Sequence, residues 1–550
     1  MGGGGGAPAS DIDAVLAQSS SGASGFRGLF ANRKTLAIAT FASLGGVLYG
    51  YNQLDEEDAS ATKGLLTAIL GELYDTAPAY NTELGAMIGS LMAGPLADMY
   101  SRKYSISGCL YLRFVPPLPS RPLTLAGRWF AGMGVGALSM LVPMFNAELA
   151  APGIRGSLVA LQQLAITFGI MISYWIAYGT NFIGGTGDTQ SDTAWRLPLG
   201  LQLVPAVVLC VGICFLPFSP RWLMLKGRED ECLMNLSHLR SLPPDHPAVQ
   251  AEFLALQAER LVEREAAKER YGFDDVNFKV TCLEYKRLLT TKSLLYRLLV
   301  GAGAQALQQW TGINAIIYGL GLTGNTMGLL ATGVVGIVNF VFTIPAVLWV
   351  DQVGRRPMLI WGEFMMAVSH ATIAAIVAVY GPSRAEEQAG IGYRNKAAGN
   401  AAVFMVYWYI VNFAVTWGPL AWVVSAEVFP LDMRAKGMSI SSATNWIMNF
   451  TVAMVTPVMF NTIRWKTYIV FMCFCIVGLL YSIFILPELK GKSLEDIDQV
   501  FGDKSGAEDQ RRRERIAQQI GLDKVARDVQ HIDNDPEASA GAEKKQMRDL

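Results

Sequence analysis

Charge is scarce in this sequence of 550 residues: Asp, Glu, Lys and Arg make up 17% of it, against about 25% in soluble domains. The deficit is uneven. Most of the charge lies in residues 1–34, 221–297 and 490–550, which leaves long stretches almost free of it. A soluble enzyme is excluded as the default. Lys+Arg 45 against Asp+Glu 46 leaves a net charge of −1, so bulk charge offers nothing to a nucleic-acid partner. Histidine is sparse: His238, His246, His370 and His531 are scattered, and none has metal-ligand spacing with Cys or carboxylate. No metal or other cofactor is expected. The cysteines form no disulfide framework, since Cys109, Cys210, Cys214, Cys473 and Cys475 lie in apolar runs and Cys232 and Cys282 in the polar middle. Met1-Gly2 runs on as glycine through Gly6, without the apolar core of a signal peptide or the Ser/Thr of a myristoylation signal. Residues 1–25 are expected to be a flexible tail.

Apolar runs are what the sequence has instead. They lie at about 35–54, 64–97 (interrupted), 104–115 (short), 123–146, 157–178 and 196–216. After the polar middle come 298–319, 328–350, 358–380, 399–424, 438–460 and 467–487. Runs of about 20 residues cross a ~30 Å hydrocarbon core. The expected fold is therefore an all-α membrane protein of 12 transmembrane helices, with residues 35–216 and 298–487 forming two six-helix bundles. Residues 1–34 would be a disordered N-terminal tail, 217–297 a helical linker and 488–550 a mostly disordered C-terminal tail.

Internal repetition supports two related halves. GPLADMYSRK (94–103) and WVDQVGRR (349–356) each put an Asp and a basic pair after the second helix of a half. Glu148 with Arg155 is echoed by Glu427 with Arg434 after the fourth. Lys and Arg near helix ends gather on the side of the termini and linker, which places both termini in the cytoplasm. Residues 247–270 of the linker read as an amphipathic helix. The run Arg511–Arg513 is expected in a solvated tail rather than on anionic lipid.

No catalytic constellation is present. Gly132-Met133-Gly134-Val135-Gly136 resembles a nucleotide fingerprint but lies within an apolar run with no preceding strand, so close helix packing accounts for it better. Gly491-Lys492-Ser493 lacks the upstream glycine of a phosphate loop. What remains is a set of amides inside apolar helices: Gln162, Gln163, Gln305, Gln308, Gln309, Asn314, Asn339, Asn445 and Asn449. In hydrocarbon these are costly unless paired, so they face the bundle interior or a wet cavity. Each one alone is as well explained by interhelical hydrogen bonding. Together they suit a neutral ligand rich in hydroxyls, and Trp310, Trp417, Trp422 and Trp446 nearby suit the C–H face of a sugar ring. Gln309 and Asn314 are about 140° apart on a regular helix. Gly312 between them permits a break that turns both toward one cavity, and Gly418-Pro419 does the same ahead of Trp422.

These residues resemble the sugar porter family of the major facilitator superfamily, most like its fungal hexose-transporter branch. The resemblance covers about 34–500 and rests on GVLYGYNQ (46–53), LADMYSRK (96–103), AGRWFAGMGVG (126–136), LQQLAITFGI (161–170), LPFSPRWLM (216–224), QQWTGINAIIY (308–318), GPLAWVVSAEVFPLDMRAKG (418–437) and LPELKGKSLEDID (486–498). It implies a two-bundle transporter that alternates access around a central sugar held by Gln163, Gln308, Gln309, Asn314, Asn339, Trp422 and Asn445. It further implies a cytoplasmic charge network of Asp98, Arg102, Glu148, Arg155, Arg221, Asp351, Arg355, Arg356, Glu427 and Arg434 that latches the outward-facing state. Because such a latch must break, its pairs are expected to be partly exposed and individually weak. Proton-coupled members carry an Asp in helix 1 facing an Arg in helix 4; here Arg128 matches the Arg, but the Asp position holds Asn52, which cannot titrate. Facilitated diffusion is thus favoured over sugar:proton symport. A transceptor-like sensor and a polyol or quinate-type carrier are the other classes, and the cavity helices offer an acid no cation except Arg128. The expected transport unit is a monomer in the lipid bilayer. Four segments, 54–62, 71–82, 110–122 and 319–322, depart from the family pattern and read as gene-model lesions.

Overall fold

Apolar length becomes helix wherever the sequence lacks a breaker. The computed structural model describes residues 33–52, 78–111, 121–150, 154–185, 193–272, 278–316, 325–382, 395–430, 432–490 and 515–522, with Phe30, Ser191, Tyr393, Phe501 and Arg512. Among them no strand occurs. The first bundle comprises α1 (Arg33–Ala42), α2 (Leu44–Asn52), α3 (Pro78–Met99), α4 (Arg102–Tyr111), α5 (Arg121–Leu149), α6 (Arg155–Thr180), α7 (Thr193–Leu201) and α8 (Leu203–Ile213). The linker carries α9 (Pro220–Leu225), α10 (Glu229–Arg240), α11 (Pro247–Tyr271) and α12 (Phe278–Thr290). The second bundle comprises α13 (Lys292–Trp310), α14 (Asn325–Val353), α15 (Arg355–Tyr380), α16 (Lys396–Val415), α17 (Trp417–Glu427), α18 (Arg434–Thr462) and α19 (Lys466–Phe484). Pairing α1 with α2, α7 with α8, and α16 with α17 gives six spans on each side of the linker. Among the described residues, seven stretches are each long and apolar enough to cross a membrane by themselves. Most of the family-departing segments lie outside the described residues, although α3 begins at Pro78 and α5 at Arg121.

Local chemistry sets the boundaries. Ser219 caps α9 through its hydroxyl ahead of Pro220, and His246 Nδ1 accepts the Ala248 N–H ahead of Pro247 in α11. Between α16 and α17 the backbone turns at Thr416 (φ −120°, ψ −87°), and Pro419 is tolerated because it falls in the first turn of α17. The glycine run of α5 packs as expected from close helix approach. A Cβ on Gly132 would stand 2.1 Å from Thr82 O, and one on Gly136 only 1.9 Å from Ala86 O, so α3 and α5 touch backbone to backbone.

Among the described glycines, Gly136 leaves the least room for a side chain. Gly136→Ala should lower stability by about 1–3 kcal/mol, whereas Gly179→Ala, which meets nothing within 4 Å, should stay within about 0.5 kcal/mol of the parent. Thermal unfolding of the two purified variants checks the contrast.

Candidate functional site

The break in α13 builds the site. The helix stops at Trp310, and Gly312 takes φ +89°, a region that favours glycine. Before the break, Gln308 Nε2 donates to Trp417 O (3.0 Å) and Gly418 O (2.8 Å), while Gln305 Nε2 donates to Ala421 O and Ser425 Oγ. Asn445 on α18 donates to both Gln305 Oε1 (2.7 Å) and Gln308 Oε1 (2.9 Å), and its Oδ1 accepts from Gln309 Nε2 (3.2 Å). Asn314, beyond the break, donates to Asn449 Oδ1 at 3.1 Å. Asn445 and Asn449 are one turn apart on α18, so the break does turn Gln309 and Asn314 toward the same helix face.

The other expected contacts, Gln163, Trp422 and Asn339, are buried on other helices. Trp422 and Trp446 lie buried with Tyr49 and Ile166, and the Tyr49 and Trp446 ring centroids are 4.9 Å apart. Gln163 sits against the start of α17, its Nε2 3.4 Å from where a Cβ on Gly418 would be. Asn339 is buried on α14. Among the expected sugar contacts, two amide oxygens, Gln309 Oε1 and Asn339 Oδ1, are buried without a hydrogen-bond partner, as are Gln162 Oε1 and Asn146 Oδ1 elsewhere in the first bundle. Arg128 is half-buried on α5, and the side chain of Asn52 lies outside the described residues.

Residues the sequence did not single out hold the break in place. Thr311 O accepts the Tyr409 hydroxyl at 2.9 Å and the His370 Nε2–H at 2.8 Å. His370 has no metal-ligand spacing in the sequence, and the partner that gives it a role lies 59 residues away.

The charge network repeats its geometry in both halves. Arg102 Nε donates to Glu148 Oε1 (3.1 Å) and Nη1 to Ala97 O (3.0 Å); Arg355 Nε donates to Glu427 Oε2 (3.0 Å) and Nη1 to Val350 O (3.1 Å). Arg102 also pairs with Asp98, and Arg355 with Asp351. The expectation of partly exposed pairs is corrected here: the Arg102 and Glu148 side chains are 3% and 2% exposed, and Arg355 and Glu427 are 6% and 11%. The linker and the opposite bundle cover them. Arg221 pairs not with Glu148 but with Glu263 (2.8 Å) and Glu259 (3.4 Å) of α11; Glu148 Oε2 takes the Ser219 hydroxyl instead. Arg356 donates to Ser482 O and Ile483 O at the end of α19. Arg155 and Arg434 make no ion pair among the described residues, and Arg155 Nε, Arg434 Nε and Arg434 Nη2 are buried without acceptors.

Two acids of the charge network, Asp351 and Asp98, join the bundles directly. Asp351 Oδ2 accepts from Ser157 N (3.0 Å) and Ser157 Oγ (2.7 Å). Lys436 Nζ, which the sequence reading missed, meets Asp98 at 2.7 Å and Glu284 of α12 at 3.1 Å. The linker side is therefore closed in this structure.

Burial pushes the Glu263 carboxyl up to about 7 even against the Arg221 guanidinium, and Glu259 adds to the push. A raised carboxyl means that the folded state binds the proton more tightly. The resulting stability is fully present below the ordinary glutamate value of 4.5 and is lost as pH rises through about 7. Glu263→Gln should flatten this part of the stability–pH curve between about pH 5 and 8, measured as thermal unfolding of both proteins across that range.

Over residues 38–501 the chain matches the family described as "Sugar (and other) transporter". It is 33% identical over 514 residues to the MFS glucose transporter mfs1 of Aspergillus flavus, covering 88% of this chain and 93% of that protein. It is 34% identical to a high-affinity glucose transporter of Kluyveromyces lactis, covering 76% of each, and 30% identical to a probable quinate permease of Aspergillus flavus, covering 86% of this chain and 88% of that protein. Among solved structures it resembles the proton:xylose symporter XylE bound to 6-bromo-6-deoxy-D-glucose, with a TM-score of 0.66 at 26% identity over 85% of this chain and 99% of that one. A partially occluded inward-open form of the Escherichia coli protein gives a TM-score of 0.63 at 25% identity, covering 84% of this chain and 99% of that one. With the family matched along most of its length and the same two-bundle architecture around a central amide layer, the chain belongs to the sugar-transporter family, a multi-pass membrane carrier of the major facilitator fold and not an enzyme.

Proposed function

We propose that this protein carries a neutral monosaccharide across the membrane by alternating access, with Gln163, Gln308, Gln309, Asn314, Asn339, Trp422 and Asn445 as its sugar contacts. The observation that carries the reading is the pair of buried amide oxygens, Gln309 Oε1 and Asn339 Oδ1, left without donors. A buried acceptor without a donor is costly, and sugar hydroxyls supply donors. Relatives named as glucose transporters support the same substrate class. An acid such as quinate, suggested by the name of one relative, would need a cation, and the amide layer contains none. Passive facilitation fits best, because Asn52 stands where a coupling carboxylate would be. In this reading the linker and both termini are cytoplasmic, the membrane is the plasma membrane, and one chain in its lipid surround is the transport unit.

Gln309→Ala strands Asn445 Oδ1 and removes a sugar acceptor. Losing one such partner costs about 1–3 kcal/mol, so uptake should weaken roughly tenfold with surface expression intact. Radiolabelled hexose uptake in transporter-null cells reads this, and unchanged kinetics in a well-expressed variant would overturn the assignment. In the same cells sugar uptake should leave the pH of an unbuffered medium unchanged and should resist an uncoupler; alkalinisation on sugar addition would overturn facilitation.

A further inference from the structure

A layer of hydroxyls lies between the amide layer and the Asp98–Lys436 ion pair. Ser90 on α3 and Ser139 on α5 belong to the first bundle and Ser442 on α18 to the second, and all three are buried. Ser442 Oγ lies 3.2 Å from Ser90 Oγ and 3.0 Å from Ser139 Oγ. Trp446, one turn along α18, donates its indole N–H to Ser139 Oγ at 3.1 Å. The ring of that same indole packs on Tyr49 in the cluster that contains Trp422.

Counting protons fixes the direction of each bond. A hydroxyl has one proton and two lone pairs. Ser90 gives its proton to Gly136 O at 2.8 Å, and Ser139 gives its own to the same carbonyl at 2.7 Å. Both oxygens are then acceptors toward Ser442, whose single proton crosses the seam to one of them at a time, with Ser139 the nearer at 3.0 Å. Ser139 fills its two lone pairs with Ser442 and Trp446. One oxygen thus carries both the bond between the bundles and the bond to the aromatic ring.

We propose that Ser139 and Ser442 are positioning residues that tie Trp446 to the α3–α18 seam, so that release of this hydroxyl layer sets how readily the linker side opens. The proposal rests on the reading of the amide layer as the sugar site, because the tie bears on transport only if Trp446 faces the cargo. A ring that shifts against bound sugar strains its bond to Ser139, and Ser139 is what Ser442 holds. Closure and occupancy are coupled through a single atom.

The test uses the full chain with Ala435→Cys as a reporter at the linker-side end of α18, in a background where the exposed Cys214, Cys282 and Cys473 are replaced by serine. Maleimide labelling is measured without sugar, and affinity is measured with glucose. Ser442→Ala is the safer variant, since Ser90 and Ser139 keep Gly136 O and no donor is stranded. It should raise the labelling rate roughly two- to tenfold, the factor one hydrogen bond carries, and leave glucose affinity within about twofold. Ser139→Ala should raise labelling by a similar factor and, because it also strands the Trp446 indole N–H, should weaken glucose affinity as well; the double variant should label no faster than Ser139→Ala, because both act on one chain of bonds. Parental labelling rates in both variants, with parental thermal unfolding, would overturn the proposal, as would additive effects in the double. Failure of the parent protein to bind glucose would instead overturn the sugar reading, while the sugar-free labelling would still decide the role of the seam.

Discussion

A helix that stops within a hydrocarbon layer leaves carbonyls that water cannot reach. The end of α13 depends on how that is resolved. Thr311 O takes the Tyr409 hydroxyl and the His370 ring N–H, and Gly312 supplies the φ that a β-carbon would resist. With the break secured from behind by α15 and α16, the amides on either side of it can face α18. Asn445 then uses both donors on Gln305 and Gln308 and its oxygen on Gln309, so its orientation follows from its partners. The amide layer is fully interlocked on the second-bundle side, and the unmet Gln309 Oε1 is where the proposed sugar would donate.

The duplicated charge network shows what burial does to a latch. Each half ties an arginine to a carboxylate across two helices and to a backbone carbonyl of its own turn. Exposed pairs would be weak by themselves, but these are covered, and in a low dielectric neither partner can be abandoned. Weakness therefore cannot be the route to opening. The alternative is that the acids and arginines within a half stay paired, and only contacts between halves are exchanged.

Much of this architecture was legible from the sequence. Apolar runs between breakers became the spans, the glycines at 132 and 136 became the α3–α5 contact, and Gly312 became the break. The rest was hidden because it depends on which helices end up side by side. Lys436 reads as one more base in a loop motif until α12 brings Glu284 to it, and Ser442 is one serine among several in α18. The Arg511–Arg513 run was read as a solvated tail, yet Arg512 reaches Glu265 and Glu269 of α11, and Ile516, Ala517 and Leu522 pack on Ala251 and Ala258. A signal was present in that case: acids at 265 and 269 are one helical turn apart on α11, complementary to the basic run. Pairing it with the tail required knowing that the two come together.

Several of the groups that cross from one bundle to the other also hold a partner on their own side. Lys436, which holds Asp98 across the seam, also holds Glu284, and Asp98 also holds Arg102. Asp351, which accepts from Ser157 across the second seam, also holds Arg355 on its own side. Ser90 and Ser139 face Ser442 but give their protons to Gly136 O within their own bundle. When the bundles part, the acids, the lysine and the first-bundle serines each keep a partner, so the desolvation penalty that would trap a buried polar contact does not fall on them. A seam built this way can close over a cargo and release it again, with the Trp446 indole N–H and the Ser442 and Ser157 hydroxyls as the groups that need new partners on separation.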